Sequence, residues 1–295
     1  MSLIRDTEIN QSKTESQESV FIENKITTDS VENSLSTKTV PITRAEKTSW
    51  AMPDILQPAH MVTMVSQVDA TRLELIREHA RKNGEVVPSY TSLVIKAAAL
   101  TLKLYPESNR AILGFPLFKK LYQFQNTNIS VAVEKSLPGL PGQAYASIIQ
   151  NTLRKSLGEI TSDLQELAHC NEANNEGFRM FMQILKFIPR PFSLWMINAP
   201  HWFPNLWSKY RGCACWVNAP SKAGADIVTT TWPWPITFSF GVVKKRPVVI
   251  DDRVQARLTM PVVMVFDRRI MGGGPAGRIF AEFKNILENG FQNYQ

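Results

Sequence analysis

The densest group of reactive side chains in this sequence is Asp267-Arg268-Arg269, followed by Gly272-Gly273-Gly274, between an apolar run and an amphipathic one. A carboxylate beside two guanidinium groups can pair internally and still leave one cation for a phosphate, a carboxylate or a developing oxyanion. Arg268 cannot act as a base at neutral pH, because its pKa lies above about 12. A second basic run, Lys244-Lys245-Arg246, has the charge to meet a phosphate and reads equally well as an exposed basic turn before Pro247. Hydroxyls gather at Thr229-Thr230-Thr231, just before Trp232-Pro233-Trp234-Pro235. Cys213-x-Cys215 lacks the second ligand pair that zinc needs, so no metal centre is expected.

Periodicity supplies the elements that must hold these residues. His60–Val68 predicts a strand, with Asp69 as N-cap of a helix over Thr71–Lys82. Tyr90–Leu104, containing Ala97-Ala-Ala, predicts a helix buried against a sheet. Leu121–Val133 holds β-prone pieces ending in Ile129–Val133, and the Pro/Gly turn Leu137–Gly142 separates them from a strand near Ala144–Ile149. Asn151–His169 predicts an amphipathic helix, with Leu153, Leu157, Ile160, Leu164 and Leu167 on one stripe. Strands are predicted near Asp226–Thr231, Ile236–Val243, Pro247–Ile250 and Val254–Phe266, and a last helix from Pro275. This mixture predicts an α+β fold, a sheet layered by helices.

Composition narrows the class. With 44% hydrophobic and 20% charged residues, the 295-residue chain can bury a substantial core. Residues 1–39 are polar, carry a balance of −3 and are expected to be disordered; residues 40–295 then carry +10. That surplus suits anionic ligands, and no nucleic-acid motif accompanies it. The three cysteines read as reduced thiols of a cytoplasmic protein. No signal core or transmembrane segment is expected, because the best apolar stretch, Phe178–Trp207, is broken by Arg179, Lys186, Arg190 and four prolines. Six of the seven tryptophans fall between Trp195 and Trp234, interleaved with Lys209 and Arg211. A Trp/Pro-rich insertion over about 171–222 can be a pocket wall for a large hydrophobic substrate, an interfacial helix, or extra core and subunit contact.

Met264–Gly274 resembles the Asp-His-Arg-x-x-x-Asp-Gly signature of dihydrolipoyl acyltransferase catalytic domains, relatives of chloramphenicol acetyltransferase. Val40-Pro-Ile-Thr-Arg44, Met64–Asp69 with Leu73 and Arg77, Val94–Leu100 with Pro106-Glu-Ser-Asn109, and Asn128–Val133 resemble further motifs of that domain in the same order. The resemblance implies a chloramphenicol-acetyltransferase-like two-layer α+β sandwich over residues 40–295, assembled as a homotrimer with sites between subunits. It also implies acyl transfer from a coenzyme A or phosphopantetheine thioester to a small-molecule or carrier-protein-bound acceptor, without a tightly bound cofactor. Forty polar residues are too few for a folded lipoyl domain, which argues against a swinging-arm role.

Arg268 stands where that family keeps its catalytic histidine, and Gly272 where it keeps its second aspartate. Asp267 and Arg269 match retained positions that pair structurally, beside Gly272 and Gly273. Thr229–Phe240 resembles the Ser-x-x-Pro-Trp-x-x-Phe-Thr-Ser-Phe stretch of the chloramphenicol acetyltransferase branch, which places Thr230 at the serine that donates to the oxyanion. Trp232 and Trp234 would then line the substrate, and Lys244, Lys245 and Arg246 would meet a coenzyme phosphate. His201, in Pro200-His-Trp-Phe-Pro204, is the candidate replacement base, although a lone histidine among aromatics is more often structural. The expectation is an acyltransferase-like protein of specialised metabolism with a non-standard site. Condensation or cyclisation of a thioester-bound intermediate, and a non-catalytic ligand-binding trimer, stay open.

Overall fold

A computed structural model describes residues 60–115, 118–137 and 140–292. The polar segment 1–39 and the Val40–Arg44 motif lie outside these residues. The main sheet is built on β9 (Arg253–Asp267), whose fifteen residues serve several partners. Its first half pairs antiparallel with β8 (Lys244–Ile250), and its second half with β1 (Met61–Asp69) and β7 (Ile236–Phe240) on opposite sides. From β7 the sheet continues in parallel to β6 (Cys215–Asn218) and β4 (Ile129–Leu137), then antiparallel to the edge strand β5 (Leu140–Ile149). A separate hairpin joins β2 (Arg110–Leu113) to β3 (Lys120–Gln123).

Helices cover the sheet because their apolar faces have nowhere else to go. The helix α2 (Tyr90–Leu104) is capped by Ser89, which accepts from the Ser92 N–H. Its stretch from Ser92 to Ala99 is buried except for Lys96, whose ammonium donates to the carbonyls of Leu153 (2.8 Å) and Lys155 (2.7 Å). α1 (Thr71–Lys82) and the last helix α7 (Gly273–Glu288) pack beside it, with Phe283 stacked on Phe238 of β7. The segment expected as a Trp/Pro-rich insertion forms three helices, α4 (Glu176–Phe187), α5 (Arg190–Trp202) and α6 (Pro204–Tyr210), after α3 (Leu157–His169).

Several predicted boundaries move for identifiable reasons. α3 starts at Leu157 rather than Asn151, because Ser156 and Glu159 form a capping box there and Asn151 adopts a positive φ of 54°. Ala70, not Asp69, is the N-cap of α1, although the Asp69 carboxylate still accepts from the Thr71 N–H at 2.8 Å. Lys244-Lys245-Arg246 open β8 instead of forming a turn, and Pro247 is tolerated there because β8 pairs on one side only. α7 begins at Gly273, two residues before Pro275.

Asp226–Thr231 forms no strand, since β7 already has β6 and β9 on its two edges and offers no free ladder. The segment instead lies as a loop against the end of β7. Ser239 donates its hydroxyl to the Val228 carbonyl (3.2 Å) and Val242 its N–H to Ala225 (3.0 Å). β7 ends at Phe240 because Gly241 abuts the Asp226 carbonyl, where any Cβ would collide with backbone. Gly241→Ala should therefore destabilise the fold by about 2–4 kcal/mol and displace this loop. A urea midpoint equal to that of the wild type would show that the approach is not required.

Candidate active site

β9 ends at Asp267, and the backbone leaves the sheet under tight control. The Asp267 N–H donates to the Pro235 carbonyl (2.8 Å) and the Arg268 N–H to that of His60 (2.9 Å). The buried Asp267 carboxylate accepts from the Arg269 backbone N–H at 2.9 Å and from its Nε at 3.0 Å, so the pair is a fork closed on itself. This hydrogen-bonded carboxylate raises the pKa of Arg269. The two side chains expected to be structural are thus used up by each other.

Beside them lies a cleft of about 220 Å³, lined by His201, Trp232, Trp234, Asp267 and Arg269, with Thr231, Lys119 and Asn198. That is below the ~300–1,000 Å³ of sites that enclose a drug-sized ligand, so it has room for a reacting group rather than a whole thioester donor. Sequence reasoning missed the floor, Ala111–Gly114 of β2 and its turn, because a four-residue strand carries too little periodicity to read.

His201 is fixed from two directions. Its backbone carbonyl accepts from the Gly114 N–H (2.8 Å), and its ring stands edge-on to Trp207, close to the Pro233 carbonyl. Burial, helped by the nearby Arg211 and Lys119 cations, pulls its pKa down to about 4, against a smaller opposing effect of the Pro233 bond. The ring is therefore neutral at pH 7, and its Nδ1 is buried without a hydrogen-bond partner.

Thr230 lies one residue outside the cleft wall, and its Oγ1 is also buried without a partner. Among the described residues only four buried side-chain polar atoms lack one, and two of them belong to His201 and Thr230. An unsatisfied buried group costs about 1–3 kcal/mol, so such atoms mark places where something else completes the bonding.

The remaining candidates divide between the cleft wall and places apart from it. Arg268 is exposed and does not line it. Trp234 is fully buried and donates its indole N–H to the Arg211 carbonyl (2.8 Å), which makes it core as much as wall, while Trp232 stacks on Trp216. Lys244 and Arg246 share the Asp226 carboxylate at 3.0 and 2.7 Å, leaving Lys245 as the exposed cation of that run without an ion pair among the described residues. Cys213 and Cys215 are buried; burial pushes the Cys213 thiol up to about 12 and that of Cys215 well above its usual value. No cluster of metal-binding side chains occurs among the described residues.

The family model for the 2-oxoacid dehydrogenases acyltransferase (catalytic domain) matches residues 34–177 and 237–292. The chain belongs to this family. The match is interrupted over 178–236, the stretch that holds α4–α6, His201 and Thr230. The dihydrolipoyllysine-residue succinyltransferase component of the Bacillus subtilis 2-oxoglutarate dehydrogenase complex is 22% identical over 83% of the chain and 52% of that protein. The acetyltransferase component of the Zymomonas mobilis pyruvate dehydrogenase complex is 24% identical over 90% and 52%. The chain thus spans about half the length of the curated relatives it matches.

Among solved structures, a probable dihydrolipoamide acetyltransferase from Listeria monocytogenes superposes with a TM-score of 0.61 at 22% identity, over 88% of this chain and 98% of that one. The cubic core of a pyruvate dehydrogenase complex gives 0.60 at 21%, over 86% and 92%. These likenesses establish the α+β sandwich of the acyltransferases as the fold.

Two outcomes follow from the site. Gly272 is the N-cap of α7, extended (φ −75°, ψ 170°) and with open space around its Cα. Gly272→Asp should be accepted and should raise stability by a few tenths of a kcal/mol, since Asp caps better than Gly; a drop in melting temperature would contradict the geometry. For His201 the folded pKa of about 4 lies below the unfolded value near 6.5. The unfolded chain therefore binds the extra proton between these values, and stability falls as pH drops through that window by on the order of 2–3 kcal/mol. Denaturation midpoints at pH 4.5 and 7 should differ less in His201→Gln than in the wild type.

Proposed function

We propose that this protein is an acyltransferase whose reacting centre lies between Thr230 and His201, with Arg268 and Gly272 no longer performing the family's proton chemistry. Family membership supplies the reaction class. The observation that carries the local reading is the pair of buried, unpartnered atoms, Thr230 Oγ1 and His201 Nδ1, at and beside one small cleft. A hydroxyl that already lacks a partner can donate to an oxyanion without first losing a bond, which is how preorganised donors lower a barrier.

His201 in this reading accepts the acceptor's proton. Its ring is held edge-on against Trp207, close to the Pro233 carbonyl. A pKa of about 4 makes it weak, so an acceptor that needs little help, such as an amine or a low-pKa thiol, suits it best. The donor in this reading is a coenzyme A or carrier-protein thioester, with its bulk outside the small cleft. Lys245 is the basic residue left for its phosphate. A homotrimer that completes the site between subunits, a cytoplasmic setting and a role in specialised metabolism complete the proposal. Among the described residues, no helix is long and apolar enough to cross a membrane.

Thr230→Val should lower kcat by roughly 10²–10³-fold, measured by mass spectrometry of the acylated product from acyl-CoA and acyl-carrier donors, with a melting temperature no lower than that of the wild type. Because His201 stays neutral, kcat/KM should show no inflection near pH 6.5. If Thr230→Val turns over within threefold of the wild type, the reading fails. A product that lacks the transferred acyl mass would move the assignment to condensation or cyclisation.

A further inference from the structure

α5 separates the small cleft from a second and larger space. Its Asn198, His201 and Trp202 face the cleft, whereas Trp195, Ile197 and Ala199 face a groove of about 510 Å³ between β5 and α4–α6. Most of the groove wall, including Met180, Phe181, Ile184 and Phe203, lies within residues 178–236, outside the family match. Its volume falls within the range that encloses a small molecule, and its lining is mainly aromatic and aliphatic.

The charges in the lining have one sign. Lys209 and Arg211 contribute cations, and no aspartate or glutamate lines the groove. Lys209 is exposed, with its ammonium 5.2 Å from the Tyr210 ring. Arg211 is only 5% exposed; its guanidinium lies over Trp234 and donates to the Ile197 carbonyl at 3.1 Å. Burial lowers its pKa to about 10, which leaves it charged at neutral pH. An apolar trough with a one-sided cationic end complements an amphipathic anion.

We propose that this groove is a binding site for a hydrophobic carboxylic acid, with the tail along α4 and α5 and the carboxylate towards Lys209 and Arg211. The site is separate from the acyl-transfer cleft and requires no thioester. Decanoate, decan-1-ol and decylamine titrated into the full chain, followed by tryptophan fluorescence and calorimetry, test the proposal. Decanoate should bind about tenfold or more tightly than decanol, with decylamine weakest. Lys209→Glu should abolish that advantage and leave decanol unchanged, and Ile184→Trp, which fills the groove, should weaken both.

Equal affinity for decanoate and decanol would overturn the proposal, as would decanoate binding that survives Ile184→Trp. Absence of binding, together with an oligomer that dissociates on Phe181→Asp, would assign the groove to subunit contact and also overturn it. Since no acyl donor enters these measurements, their failure leaves the Thr230 assay intact, and the failure of that assay leaves this site standing.

Discussion

The pairing register of β9 is the constraint on which the rest of the molecule depends. One strand fixes β1 and β7 along its second half and β8 along its first, and it delivers Asp267 at its end. A slip of one residue would turn Val262, Met264 and Phe266 from one face of the sheet to the other and move Asp267 away from Pro235. The second half of β9 is wholly buried, so such a slip would expose a continuous apolar run. Register is therefore held by burial over the whole strand rather than by the two hydrogen bonds at its end. The Asp267–Arg269 fork then closes a carboxylate that would otherwise be buried without a partner, a cost of several kcal/mol for an ion.

That constraint explains how Asp267 and Arg269 are held in place while the residues beside them are left free. Asp267 and Arg269 are tied to the sheet, whereas Arg268 projects outward between them and is anchored only through its backbone to His60. Its side chain can change without disturbing β9. Gly272 is equally free, because it caps a helix through backbone conformation alone and has open space about it. Arg268 and Gly272 are thus two positions that the surrounding packing does not restrain.

Much of this was legible in the sequence. Apolar alternation and length gave β1, α1, α2 and the long β9, with the Asp-Arg-Arg run at its end. Competition between elements was not legible. Thr229-Thr230-Thr231 has strand propensity, yet no free edge of β7 exists to receive it, and that depends on where β6 and β9 lie. The start of α3 needed the reciprocal Ser156–Glu159 bonds, which a leucine stripe beginning at Leu153 obscured. β6 went unread because the four residues from Cys215 carry no period, although they place the Cys215 thiol and Trp216 in the core. The aromatic density between Trp195 and Trp234 was visible, but its division between core and cavity walls was not: Trp207, Trp216 and Trp234 are buried, while Trp195 is mostly exposed.

The position of His201 shows why a lone histidine could not be judged from its neighbours in sequence. Pro200, next to it, interrupts the hydrogen-bond ladder of α5 near the end of the helix, where an absent N–H costs least. The chain then turns into α6 at Phe203–Pro204, and Trp207 comes back under the histidine ring. Meanwhile Pro233 arrives from a loop more than thirty residues later, held in place by the Trp234 indole bond to Arg211. The Pro233 carbonyl thus comes close to the imidazole. The ring Nδ1 stays buried without a hydrogen-bond partner, and the loop that carries Pro233 also carries the unpartnered hydroxyl of Thr230. Two uncompensated groups of about 1–3 kcal/mol each persist in a chain whose other buried side-chain polar atoms are nearly all paired among the described residues. Under the proposed acyl transfer, a reacting group held between Thr230 and His201 would complete the bonding of both.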